Sequence, residues 1–176
     1  MAKIKSTLDL VMEKTKNLTM TDADKKRLRI KQGTDKARAW VTGYIDGKIT
    51  AAEMRRNLDA NRVTLPEIGD ILKRELVQRV RPEHDNTLIL HALERVFDIS
   101  AKPLEELIAS GRTYLDANRQ EYLEQLGSDL KKDGIYGTSV VPNLDQSRQW
   151  QDFNQEARED LARKINEVID TGTSSP

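Results

Sequence analysis

The sequence predicts an all-α protein, a multi-helix bundle of about six to seven helices with one short extended segment near residues 135–143. Three observations carry that expectation. Apolar residues recur at three- and four-residue spacings over most of the chain. Thr, Ser, Gly and Pro punctuate it where helices start and stop. Only one stretch combines glycine, β-branched residues and proline without helical periodicity.

The first segment, residues 6–17, places Ile4, Leu8, Val11 and Met12 on one face, so residues 1–20 read as an N-terminal helical arm. Thr21 is an expected N-cap, followed by Asp22 and Asp24 where the helix dipole favours acids. That second helix is basic up to Gly33 and amphipathic afterwards through Ala37, Trp40, Val41, Tyr44 and Ile45, with Gly33 as an expected kink or break. Thr50 with Glu53, and Thr64 with Glu67, have the spacing of capping boxes for a third and a fourth helix. Leu65, Ile68, Leu72, Leu76 and Val80 line the fourth.

The fifth helix follows Pro82. Leu88, Ile89, Leu90, Ala92, Leu93, Val96 and Phe97 make it apolar nearly all round, which predicts the most buried, central position. Ser100 and Pro103 open a sixth helix along Leu104, Leu107, Ile108, Tyr114, Leu115, Tyr122, Leu126 and Leu130, with Gly134 as its end. The last helix, about 145–170, carries the stripe Trp150, Phe153, Ala157, Leu161, Ile165 and Val168 and is expected to dock along the fifth. Residues 171–176 read as a disordered tail, and the whole chain as a single helical domain of 176 residues. The pentapeptide LDANR occurs at 58–62 and at 115–119; coincidence in a helix-biased composition outweighs duplication.

Composition excludes whole classes of chemistry. The chain has no cysteine, hence no disulfide, thiolate nucleophile or thiolate metal site. No run of about 18 apolar residues is present to span a membrane. With no signal-peptide pattern at the start, a cytoplasmic location is expected by elimination. P-loop, dinucleotide and nucleophile-elbow patterns are missing, so no cofactor is expected.

The run from Asp46 through Gly47 to Glu53 imitates the second half of a calcium loop. Thr42 and Tyr44 would fall at its first and third ligand positions, where oxygen ligands, usually carboxylates, are needed, so a helix cap at Gly47 is the better reading. His84 and His91, the two histidines, are too few for a zinc site. His91 reads as a buried, hydrogen-bonded packing residue and His84 as part of the turn after Pro82. No metal is expected.

Charge is the strongest functional signal. The formal net charge is zero, yet residues 1–50 hold 12 Lys and Arg against 6 Asp and Glu, while residues 98–134 hold 5 against 8. Lys25, Lys26, Arg27, Arg29, Lys31, Lys36 and Arg38 stand against the single acid Asp35 within 25–38 and form a candidate polyanion-binding segment. The alternative is a solvated face paired with the acidic later helices. A second candidate surface, for a protein partner, comprises Ile135, Tyr136, Val140, Val141 and Pro142 of the extended segment.

The opening string IKSTLDLVMEKTK (residues 4–16) resembles the start of an uncharacterised bacterial protein family of comparable length. The string GIYGTSVVPN (134–143) followed by Trp150 resembles its second landmark. The resemblance implies a stand-alone domain and transfers no activity or ligand. The leading expectation is therefore a non-catalytic cytoplasmic interaction or assembly protein, with a protein partner or a second copy in a homodimer. The alternatives are a nucleic-acid or ribosome-associated binder using 25–38 and, less favoured, an unrecognised enzyme with a pocket around His91.

Overall fold

The computed structural model describes residues 21–135, 137 and 140–172. The expected first helix, Tyr136 and the last four residues lie outside them. Six α-helices are present among the described residues: α1 (Asp22–Ile45), α2 (Ala51–Arg62), α3 (Ile68–Val77), α4 (Thr87–Phe97), α5 (Ala101–Lys132) and α6 (Arg148–Gly172). A single 3-10 turn, Leu144–Gln146, precedes α6, and no strand forms among the described residues, so the all-α helical bundle stands.

Local chemistry explains most boundaries. Thr21 and Asp24 form a reciprocal capping box at the start of α1, and Thr50 and Glu53 form another at the start of α2. Gly47, at φ 71°, turns the chain between them. The box expected at Thr64 and Glu67 does not form. The Thr64 hydroxyl donates instead to the Asn61 carbonyl, and α3 begins at Ile68 with no side-chain cap. Local hydrogen bonding to the end of α2 captures Thr64 before α3 can. Buried Asn86 folds the turn before α4, accepting from the Arg81 N–H and donating to the Arg81 and His84 carbonyls.

The main core gathers Ala37 and Val41 of α1, Met54 and Leu58 of α2, most of α3 and α4, Leu104 and Ile108 of α5, and Leu161, Ile165 and Ile169 of α6. The central helix is α3 rather than α4. It packs against α1, α2, α4 and α6, and buries Ile68, Ile71, Leu72, Leu76 and Val77. In α4, Leu88 is 51% exposed and His91 is exposed, because its main contacts among the described residues, with α2, α3 and α5, leave that side open. An all-round apolar pattern shows that a helix tolerates burial; neighbours on every side are still needed to impose it.

The last helix docks along α5 and α3, not along α4. Its C-terminal contact is Ile169, 1% exposed, with Val168 half-buried. The two long helices run antiparallel: Gly111 faces Leu161, and Tyr122 stacks near Trp150 and Phe153. Away from the body they enclose a second, smaller core of Leu115, Leu144 and Trp150, flanked by Tyr122, Leu123, Leu126, Phe153 and Ala157.

The break expected at Gly33 does not occur. Gly33 and Gly111 lie inside unbroken α1 and α5, at places where another chain segment comes close. A Cβ on Gly33 would overlap Leu65, and one on Gly111 would sit 3.2 Å from Leu161 Cδ2.

Candidate functional site

The basic segment is helical, and its first half places no residue in the core. Every residue from 21 to 32 is exposed, and the first buried position of α1 is Gly33, followed by Ala37, Val41 and Tyr44. At about 1.5 Å per residue, roughly 16 Å of helix precedes the first buried residue. Leu28 and Ile30 on that stretch are 43% and 37% exposed. On one side the stretch borders a recess of about 360 Å³, with Lys25, Lys26 and Arg29 facing Thr64, Pro66 and Glu67 of the α2–α3 turn.

The seven candidate cations divide into two groups. Three have partners. Lys25 pairs at 3.2 Å with Asp22, an exposed pair that contributes little. Lys36 Nζ donates to Asn61 Oδ1 at 2.9 Å. Arg38 donates to both oxygens of Glu75, 3.4 Å from Nε and 3.3 Å from Nη2. The Glu75 hydrogen bond, reinforced by its charge, raises the Arg38 pKa above the ordinary guanidinium value. Arg38 and Lys36 thus fasten α1 to α3 and α2.

Lys26, Arg27, Arg29 and Lys31 make no ion pair among the described residues. The acidic stretches of α5 and α6 do not neutralise them. Those helices instead pair internally, as in Arg112 with Asp116 and Lys164 with Asp160.

The candidate partner segment is placed only in part. Ile135 and Val141 are 50% and 83% exposed, and Val140 is 37% exposed. Pro142 is half-buried beside Gly127 of α5. Gly134, at φ 80°, ends α5, and the Ile135 N–H closes back on the Leu130 carbonyl. Asn143 caps the 3-10 turn, and Leu144 seals the smaller core. The segment is therefore anchored at its C-terminal end and open at Val141.

His91 is hydrogen-bonded as expected but is not buried. It is exposed, and its Nδ1 lies 2.8 Å from the hydroxyl of Tyr44, which is itself 8% exposed. The imidazole bridges α4 to α1 from the outside rather than packing within. His84 is exposed in the turn after Pro82, as expected. The Asp46 carboxylate accepts from Lys48 Nζ at 2.8 Å. Among the described residues no group of three or more His, Cys, Asp or Glu is placed to hold a metal ion.

Two larger recesses flank α6, and among the described residues no hydrogen bond joins a hydroxyl to a base in either. One, about 750 Å³, is floored by Leu107, Gly111, Tyr114, Phe153 and Leu161. The other, about 570 Å³, is rimmed by Gln78, Gln151, Asn154 and Gln155 beside Trp150. Sequence reasoning missed Glu75, whose role depends on α3 lying against α1, a contact with no local signature. Among the described residues no helix is long and apolar enough to cross a membrane. Compared with protein-family profiles, curated proteins and solved structures, the chain matches none.

Proposed function

We propose that this protein is a non-catalytic cytoplasmic binding protein that engages a polyanion, the backbone of a nucleic acid, through the exposed first half of α1. The observation that carries this reading is the set Lys26, Arg27, Arg29 and Lys31, charged and unpaired among the described residues, on a helical stretch with every residue exposed. Residues 22–32 carry five basic and two acidic side chains, or four and one once Lys25's pairing with Asp22 is set aside, so this stretch is a local positive pole on a chain of zero net charge. Such a pole attracts phosphates, and releasing their condensed counterions supplies affinity that weakens steeply with salt.

Retention on a heparin resin at low salt tests the reading. The wild-type chain is expected to bind and to elute as salt rises. A K26Q/R27Q/R29Q/K31Q variant should elute markedly earlier, while K36Q, whose lysine is engaged with Asn61, stays close to wild type. A wild-type chain that flows through at low salt overturns it. The second reading, a protein partner or a second copy, is favoured by Val141 at 83% exposure on a segment outside any helix. It predicts association that a Val141→Asp variant abolishes and that nuclease treatment leaves intact.

A further inference from the structure

Which polyanion this stretch suits follows from how its cations are spread around the helix. At about 100° per residue, Lys25 and Arg29 fall on one flank, which borders Thr64 and Glu67 of the α2–α3 turn and where Lys25 also pairs with Asp22, and Arg27 and Lys31 fall on the other, some 160° away. Leu28 lies between the flanks, on the side away from Gly33 and Ala37, and is 43% exposed. Two acids share that outward side: Asp24, engaged in its capping box with Thr21, and Asp35 further along α1. The stretch between them is free of negative charge.

From this arrangement, and resting on the polyanion reading above, we infer that the partner is B-form duplex DNA, with residues 25–31 lying in its major groove. A groove walled by phosphates on both sides meets both flanks at once. A flat anionic surface or a lone backbone meets one. A helix with side chains is about 10–12 Å across, and the B-form major groove is about 12 Å wide. The major groove of duplex RNA is too deep and narrow to receive it. Single strands are held by stacking bases on aromatic rings, and the stretch has none; the nearest, Trp40, packs against the main core. Leu28 would then face the base edges, where an apolar side chain meets thymine methyl groups and specifies little else. Binding is expected to be largely sequence-tolerant.

The experiment is fluorescence anisotropy on the full chain with four probes: a DNA duplex of about two turns, its single strand, the matching RNA duplex, and heparin. Wild type should bind the DNA duplex about tenfold or more tighter than the other probes, with a slope of log affinity against log salt of about −3 to −4 for four phosphate contacts. K25Q/R29Q and R27Q/K31Q should each reduce that slope by about two. All four side chains are exposed, so circular dichroism should show unchanged helix content in both variants. Equal affinity for all probes overturns the duplex inference and leaves the polyanion reading standing. Loss confined to one pair of substitutions shows contact on a single flank and also overturns groove docking. No binding of any probe by wild type overturns both.

Discussion

Arg38 on α1 and Glu75 on α3 meet side by side, the guanidinium 57% exposed and the carboxylate almost wholly covered. The pair holds the packed half of α1 to the central helix. Removing the guanidinium alone strands a buried carboxylate, which costs about 1–3 kcal/mol. Arg38→Met is therefore expected to lower stability, whereas the double variant Arg38→Met, Glu75→Leu should recover most of the loss, since no covered carboxylate is then left without its partner. Urea denaturation of the three chains measures it. A silent Arg38→Met would mean that water solvates Glu75 as well as the arginine does.

The glycines separate by their surroundings. At Gly69 in α3 a methyl group would meet open space, so Gly69→Ala should stabilise by about 0.5–1 kcal/mol through helix propensity alone. Gly111 is the opposite case. Gly111→Val drives a branched side chain into Leu161 and should cost about 1–3 kcal/mol by overpacking. Thermal unfolding of both variants checks the sign of each.

The two tryptophans report on different cores. Trp40 packs against the main cluster, while Trp150 is buried in the smaller one, where its buried companions among the described residues are Leu115 and Leu144. In single-tryptophan variants, Trp40→Phe and Trp150→Phe, the signal from Trp150 should be lost at lower urea than the signal from Trp40. Coincident transitions would show that the hairpin and the body unfold as one unit.

Part of the acid sensitivity should arise where α2 meets the end of α4. Arg55 donates to both carboxylate oxygens of Asp98 at 3.1 and 2.8 Å, and that bonding, with the guanidinium charge, depresses the Asp98 pKa. A depressed carboxylate adds stability above its unfolded pKa and loses it as pH falls through the folded one. Asp98→Asn, which still tolerates the φ of 58° at this position, should flatten the decline of stability with falling pH below the ordinary carboxylate range. An unchanged slope would show the pair to be energetically idle, as exposed pairs often are.

Most of the architecture was legible because it is local. Thr21, Thr50 and Gly134 act through neighbours three or four residues away, and such spacings are visible in the string. The two LDANR copies even behave alike: Leu58 and Leu115 are buried, and Asn61 and Asn118 each bond the carbonyl four residues back. Burial order was not legible. Whether α3 or α4 sits at the centre depends on where α6 returns, and nothing in either helix encodes that. His91 is the sharpest instance. Its helix is the most apolar of the chain, yet its own position faces outward, where Tyr44 reaches it. For the basic run, composition located the charge; only the packing of α1 separated the cations that brace the bundle from those left free.

Helix α5 belongs to both cores at once, seated in the body at Leu104 and in the hairpin at Leu115, with no break at Gly111. It is a continuous rod of about 48 Å. The last helix returns beside it from Trp150 in the smaller core to Ile165 and Ile169 in the main one, so the far turns of α5 are tied to the body twice, by their own backbone and by α6.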